Sequence, residues 1–350
     1  MISPFKPQGL GLTRTLLFAL SMAFASCDDD SENGPRPREP HFDFKNECQN
    51  IGPPVGRFSS FMVEVMGTQY DRPMFNPHDA DELLYHEWGD GFSRIIKYRI
   101  STREKEVFLD PAPLTVELDW GRGGWVAFSG YGDMFLIRED GTDLHRVPLT
   151  TEGHSCAEPD FNPDGTVVGF PFGGVNGISL YGMYLLYDLN KNDLDTFDHF
   201  NGTRPLGWSS NNEMSLWTGE SYDLNGKLGL TLIHMKDYNR TLIFQYSDMK
   251  WLDNSYGSAD MMWNHSGENL YYTDGDIICF PTNDYKEIRI KKGCESRYYE
   301  DITIAPDDKH IIVERVDVRR DGPYSNTLQR WRRLYIMDID GCNERLLFDD

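Results

Sequence analysis

"PDFNPDGTVVGF", residues 159–170, contains two short apolar runs separated by an Asn-Pro-Asp-Gly turn. The segment "ITIAPDDKHIIVE", residues 302–314, has the same order of strand, Pro-Asp turn and strand. A second unit recurs as "MFLIREDGTDLHRVPL" at 134–149 and "LYIMDIDGCNERLLF" at 334–348, each with an acidic-Gly turn between two strands. Short apolar runs bounded by turn residues are typical of β-strands, so these segments predict an all-β repeat protein.

The repeat extends along the chain through six positions at which a strand stops at a turn, which we call the anchors. The anchors are Phe75, Trp120, Phe161, Trp208, Trp263 and Ile304. They are spaced on average by about 46 residues, which is the length of a four-stranded propeller blade. A third strand recurs independently as "RIIKYRI", "MFLIRED", "MYLLYDL", "LTLIHMK", "DIICF" and "LYIMDID". We predict six blades near residues 67–110, 111–150, 151–200, 201–249, 250–295 and 296–350; a β-sandwich followed by a second β domain is the alternative.

The "NPDG" turn and the "REDGTDLHRV" and "DIDGCNERLL" hairpins resemble the repeats of TolB-like β-propellers. The resemblance covers most of the chain after residue 67 and is strongest in blades 2, 3 and 6. It implies a six-bladed propeller with four-stranded blades and protein or peptide partners. Ring closure has two readings: "SSFMVEVM" at 59–66 adds an outer strand to the last blade, which we favour, or begins a degenerate seventh blade.

The amino-terminal segment has a positive region with Lys6 and Arg14, then an apolar run, then Cys27 followed by three aspartates. The run is too short to span a bilayer as a stable anchor. It resembles the lipobox of bacterial lipoproteins, which implies a signal peptide over 1–26 and diacylation of Cys27; an ordinary secretory leader is the alternative. Residues 27–57, acidic and proline-containing, read as an extended tether, and residues 58–350 as the propeller.

The acidic run after Cys27 resembles the surface-export signal of Bacteroidota lipoproteins. It therefore implies display on the outer membrane, with a periplasm-facing position as the alternative. The formal charge of −22 disfavours nucleic acid and anionic headgroups as partners. The sequence contains no second long apolar run, so we expect the lipid to be the only membrane attachment. The five cysteines after Cys27 are expected to be small buried residues with at most one or two disulfide bonds.

Polar residues alternate with apolar ones along the first strand of each blade, which lines the channel of a propeller. Because side chains on a strand alternate with a period of two, we expect the polar set to gather at the mouth where these strands begin. It comprises Arg72, Glu117, Asp119, Glu158, Asp160, Arg204, Asp260 and Asp301. One reading is a ligand site, with carboxylates suited to Ca²⁺ as a possible cofactor. The other is that each acid hydrogen-bonds backbone amides of the neighbouring blade.

The loops between second and third strands open on the same face as that mouth. Three are long: 171–182, 218–229 and 317–331. Long loops on a rigid scaffold commonly bind ligands, and the last one contributes Arg319, Arg320, Tyr324 and Trp331; a tolerated insertion is the alternative.

Signatures of catalysis are sparse. The sequence contains no His-x-x-x-His pair and no Gly-x-Ser-x-Gly elbow. Some TolB-like propellers are oligogalacturonate lyases that hold a metal with histidines in the channel, but His154, His199 and His265 do not carry that assignment over. His154 alone remains a candidate general base. We therefore expect a non-catalytic scaffold that binds a protein or a glycan, with a metal-assisted polysaccharide lyase or hydrolase as the alternative.

Overall fold

The computed structural model describes residues 51, 62–113, 116–149, 154–156, 158–174, 183–197, 203–208, 214–220, 228–234, 240–245, 260–284, 286–322 and 324–348. Between residues 203 and 245 it describes the backbone and the side chain of Trp208. All described residues belong to one unit, Gly34–Asp350. Cys27, the tether and His199 lie outside them, so the lipid anchor stays a prediction.

Six sheets contain the described strands; five are antiparallel, and the last includes one parallel pair. Blades 1 to 3 consist of β2 (Gln69–Asn76), β3 (Asp79–Gly89), β4 (Phe92–Arg99) and β5 (Glu104–Leu109); β6 (Leu118–Gly121), β7 (Trp125–Gly130), β8 (Asp133–Arg138) and β9 (His145–Arg146); and β10 (His154–Cys156), β11 (Asp160–Phe161), β12 (Val167–Gly174), β13 (Met183–Asp188) and β14 (Asp193–Phe197).

Blades 4 to 6 consist of β15 (Thr203–Trp208), β16 (Met214–Glu220), β17 (Leu228–His234) and β18 (Arg240–Gln245); β19 (Asp260–Trp263), β20 (Asn269–Asp274), β21 (Asp276–Pro281) and β22 (Ile288–Lys291); and β23 (Arg297–Ile304), β24 (His310–Arg320), β25 (Thr327–Asp338) and β26 (Arg345–Leu346), with β1 (Met62–Val65) added to the last sheet. None of the described residues forms a helix with the length and hydropathy that a membrane crossing needs.

The innermost strands form a closed ring. Strands β2, β6, β11, β15, β19 and β23 each contact the next in this order, and β23 contacts β2. Apolar side chains fill the spaces between neighbouring sheets, as where Leu83 and Tyr85 of blade 1 pack with Ile312 and Leu334 of blade 6. Apart from the added strand β1, each sheet lies within its predicted blade, so the six-bladed propeller is confirmed.

The recurring acidic-Gly turns have one local cause in both hairpins. Gly141 and Gly341 have positive φ values of 81° and 84°, a conformation that glycine adopts without steric cost. The carboxylates of Asp140 and Asp340 accept the backbone N–H of Thr142 and Cys342, at 3.0 and 2.9 Å. These turns therefore end each third strand at the same point of its blade.

The last blade closes the ring with both ends of the propeller. Strand β1 pairs in parallel with β25 from Met62 to Val65, and β26 pairs antiparallel with the other end of β25. The predicted outer strand from 59–66 is therefore present, in blade 6. The predicted loop 317–331 is wrong, because β24 and β25 remain paired up to Arg320 and Leu328 and only the short turn between them is irregular.

Candidate functional site

The first strands bend at the position three residues before the anchor. Arg72 in blade 1 and Glu158 in blade 3 have positive φ values of 52° and 46°, in the region that non-glycine residues rarely adopt. The pairing of β2 with β3 shifts register between Asp71 and Met74, which places Arg72 in a β-bulge. The bulge turns the backbone N–H of Arg72 away from its own sheet.

These N–H groups donate to acids of the preceding blade. The Oε2 of Glu117 accepts the N–H of Glu158 at 2.5 Å, and the Oδ2 of Asp301 accepts the N–H of Arg72 at 3.4 Å. Glu117 and Asp301 occupy the same place in their repeats, three residues before the anchor. A carboxylate at this position of the repeat therefore links one blade to the next by a hydrogen bond.

A second tier of such bonds lies closer to the anchors. The Oδ2 of Asp119 accepts the N–H of Phe161 at 2.6 Å, and the Oγ1 of Thr303 accepts the N–H of Phe75 at 3.2 Å. In both pairs, the residue just before one anchor binds the next anchor along the ring. We call the two tiers together the inter-blade clasp.

Arg72 joins three blades at the mouth. Its guanidinium lies 2.8 Å from Asp301 Oδ1 in blade 6 and 3.3 Å from Glu117 Oε1 in blade 2. Burial lowers the pKa of Arg72, but the charges of Asp301 and Glu117 outweigh burial and raise it well above its usual value. The ion pairs hold the first, second and last blades at one level of the channel.

The polar residues predicted at the mouth therefore lie at two different depths of the channel. Arg72, Glu117, Glu158 and Asp301 meet at the mouth, whereas Asp119 and Asp160 lie deeper, in the wall of a cavity. The backbones of Arg204 and Asp260 lie in first strands, but their side chains are outside the described residues.

The face around this mouth exposes two tyrosines at second-to-third-strand turns. Tyr324 is 85% exposed in blade 6, and Tyr131, which the sequence analysis did not single out, is 79% exposed in blade 2. Arg319 is also exposed. Arg320 donates to the carbonyl oxygens of Ser325 and Ile51, at 2.6 and 3.1 Å.

Trp331 does not belong to this face, although the sequence analysis placed it there. Only 7% of it is exposed, because it lies within β25 opposite Asp317. Its position on a paired strand, rather than in a loop, explains the difference.

A buried Ser-His-Asp arrangement in blade 1 was also missed from the sequence. His86 Nδ1 is 2.8 Å from Asp71 Oδ1, and His86 Nε2 is 2.8 Å from Ser93 Oγ; Trp88 Nε1 donates to Asp71 Oδ2 at 2.7 Å. The Ser93 hydroxyl donates to the Pro113 carbonyl oxygen at 2.8 Å, so its oxygen accepts from His86.

Ser93 is only 5% exposed, and its hydroxyl proton is directed at the Pro113 carbonyl oxygen rather than at His86. Burial raises the pKa of Asp71, but the hydrogen bond and charge of His86 outweigh burial and leave it below its usual value. The arrangement therefore stabilises the blade and is not a hydrolase site.

A second buried network lies in blade 6, where Arg332 also comes within 3.8 Å of the Asp71 carboxylate in blade 1. Arg332 Nη2 is 2.9 Å from Glu300 Oε2, and its Nη1 is 2.9 Å from Glu314 Oε1. Glu314 is fully buried. Burial raises the pKa of Glu314 well above its usual value, although Arg332 opposes this, and burial likewise raises the pKa of Glu300.

A cavity of about 170 Å³ lies at the far ends of the first strands. All six anchors line it, together with Asp119, Asp160, Arg122 and His265. The sequence identified the anchors only as markers of the repeat. Because each anchor has the same position in its blade, the sequence could also have predicted that the six anchors line one cavity. The repeat thus brings the six anchors, five of them aromatic, to one cavity.

Metal-ligating residues do not cluster in the part of the chain that the structure describes: no group of three His, Cys, Asp or Glu side chains there is placed to hold an ion. His265 lies at the cavity, whereas the side chain of His154 is outside the described residues. Cys156 and Cys279 are buried free thiols, and Cys294 and Cys342 are disulfide-bonded. Burial raises the pKa of the Cys279 thiol to about 11, which makes it a poor nucleophile.

Comparisons with known proteins identify the fold. No protein-family model and no curated protein match the chain. A putative TolB from Agrobacterium tumefaciens is similar in structure, with a TM-score of 0.51 and 15% identity over 72% of this chain and 87% of that one. A chain of a nidogen–laminin complex has a TM-score of 0.53 and 12% identity, over 79% of this chain and 92% of that one. An oligogalacturonate lyase in complex with manganese has a TM-score of 0.51 and 11% identity, over 80% of this chain and 78% of that one. The chain is thus a β-propeller whose structural neighbours include TolB.

Proposed function

We propose that the propeller is a non-catalytic scaffold that binds a protein or a glycan and is held at the bacterial outer membrane by lipid on Cys27. The observation that carries the scaffold role is the inter-blade clasp. Glu117, Asp119 and Asp301 hold Arg72 and backbone amides of the next blade. Acids committed to such bonds fix the ring rigidly, and a rigid ring presents its loops in one geometry.

A protein partner is supported by two further observations. The mouth face presents Tyr131, Tyr324 and Arg319 to solvent, and tyrosine and arginine are enriched where proteins bind one another. One structural neighbour also comes from a nidogen–laminin complex, an assembly of two proteins.

Affinity capture with the full-length chain, beside a glycan array, tests the scaffold role. We expect one saturable partner, whose binding falls about tenfold in Tyr324→Ala and Arg319→Ala. Leu144→Ala, which removes a half-exposed apolar side chain from a third-to-fourth-strand turn, is the matched control and keeps full affinity. Equal loss in all three variants would contradict a site on the mouth face.

The lipid anchor requires its own test, because Cys27 lies outside the described residues. Metabolic labelling with a fatty-acid analogue should mark the wild-type chain, and Cys27→Ser should abolish the label and release the chain into the soluble fraction. Protease digestion of intact cells then separates surface display from a periplasm-facing position. A labelled Cys27→Ser chain would exclude this anchor.

A metal-assisted polysaccharide lyase or hydrolase is the second candidate, because one structural neighbour is an oligogalacturonate lyase in complex with manganese. The enzyme would be the correct function if the purified protein held divalent metal in stoichiometric amount and released shorter oligosaccharides. EDTA should then abolish this release. Polysaccharide left intact by metal-loaded protein is the outcome expected for a scaffold.

A further inference from the structure

The anchor cavity has charges of both signs around aromatic walls. Asp119 and Asp160 contribute carboxylates to its wall, and Arg122 contributes a guanidinium at its rim. Among the described residues, Arg122 makes no ion pair; its guanidinium lies 3.5 Å from His265 Nδ1. Since Arg122 belongs to blade 2 and His265 to blade 5, this contact joins opposite sides of the ring.

The mixed charge restricts what the cavity can hold. The two carboxylates repel an anion, and the guanidinium of Arg122 opposes the attraction that the carboxylates exert on a cation. A neutral molecule with several hydroxyl groups meets neither repulsion, because a hydroxyl donates to a carboxylate and accepts from a guanidinium.

The aromatic walls restrict it further. Phe161 and Trp263 line the cavity but are only 6% and 7% exposed, whereas Trp208 is partly exposed and offers more aromatic surface that the apolar atoms of a ligand could cover. Trp263 is 7% exposed, and its indole N–H has no hydrogen-bond partner among the described residues. That nitrogen is itself buried, so it lies within the wall rather than on the surface of the cavity.

We propose that the anchor cavity binds one uncharged pyranose ring of a glycan. A pyranose has C–H faces that pack on aromatic rings and hydroxyls that both donate and accept, so it matches each part of the wall. This inference rests on the proposed scaffold role. Of the two proposed ligand classes, protein and glycan, it assigns the glycan to this cavity. It places the sugar at the opposite end of the channel from the mouth face.

Neutral methyl glycosides, added to the full-length chain labelled with ¹⁵N at its eight tryptophan indoles, test the inference. We expect one glycoside to shift the Trp208 and Trp263 indole signals saturably below about 10 mM. Trp208→Ala and Arg122→Ala should weaken this binding about tenfold or more, whereas Arg345→Ala, which removes an exposed arginine from the outer strand β26, should leave it unchanged. The wild-type shifts remain informative if a variant fails to fold.

Two results would overturn the inference: no glycoside shifts either indole signal, or a uronate or a hexosamine binds as tightly as its neutral counterpart. A partner still captured through Tyr324 and Arg319 would in that case leave the scaffold role standing. Loss of both capture and glycoside binding would remove the scaffold role as well.

Discussion

The backbone N–H of Phe161 donates to the carboxylate of Asp119, 2.6 Å away in the preceding blade. The other oxygen of the same carboxylate accepts the N–H of Trp120 at 2.8 Å. Two anchors in neighbouring blades are therefore fixed by one side chain, which is only 9% exposed. The position of the aromatic walls consequently depends on an acid that the sequence suggested as a ligand.

Asp119→Ala should destabilise the propeller, because it leaves two amide groups near the cavity without their acceptor. A hydrogen bond to a charged group contributes about 1.5–3 kcal/mol, so we expect a loss of that order in the free energy of unfolding, measured by urea titration. Asp90→Ala, at an exposed turn, is the control and should change little. Equal stability of the two variants would contradict the clasp.

Arg72→Lys should weaken the contact between blades although it preserves the charge. A lysine ammonium cannot bond Asp301 and Glu117 with the planar geometry of a guanidinium. We expect Arg72→Lys to lie between wild type and Arg72→Met in the midpoint of thermal unfolding. A midpoint for Arg72→Lys equal to that of wild type would mean that charge alone holds this junction.

Glu314→Gln should remove part of the dependence of stability on pH. Because burial raises the pKa of Glu314, the folded chain retains a proton that the unfolded chain loses above its ordinary pKa of 4.5. The stabilising contribution is complete below that value and is lost as pH rises through the folded-state pKa, at about 1.4 kcal/mol per pH unit for one group.

Wild type should therefore lose stability relative to Glu314→Gln as the pH rises, measured by urea unfolding at successive pH values. The exposed residue Glu104 supplies the control, Glu104→Gln, whose stability should run parallel to that of wild type. A difference between Glu314→Gln and wild type that stays constant with pH would show that Glu314 is ionised in the folded chain.

Ser93 should resist a fluorophosphonate probe despite its hydrogen bond to His86. The hydroxyl is buried, and its proton is directed to the Pro113 carbonyl oxygen. Ser93→Ala should lower the free energy of unfolding by about 1–3 kcal/mol, because His86 loses an acceptor, whereas the control Glu106→Ala, at an exposed position of β5, should not. Covalent labelling at Ser93, detected by peptide mass spectrometry, would show a reactive serine.

The sequence predicted the six blades well because each blade repeats the same turn and the same third strand. Asp140 and Gly141 recur as Asp340 and Gly341, and local hydrogen bonds fix both turns without help from distant residues. The added outer strand at Met62–Val65 was also recognisable, as an apolar run left over after the blades were counted.

The roles of the polar residues were harder to predict, because they depend on contacts between blades. The alternation that placed Glu117 and Asp119 on one side of a strand is real, but the bulge at Arg72 and Glu158 aims their N–H groups at the preceding blade. Asp71, His86 and Ser93 meet only because three strands pair in register. No local pattern marks such a meeting.

The shared edge of β25 has a mechanical consequence. Strand β1 and strand β26 both attach to this one strand, so tension between the two ends of the propeller is carried within a single sheet. A pull on the amino-terminal side loads Ile51 and then the main-chain bonds of Met62 and Met66 before it reaches any boundary between blades. Blade 6 would therefore act as the mechanical link of a tethered chain, and β1 would detach while the ring stays closed.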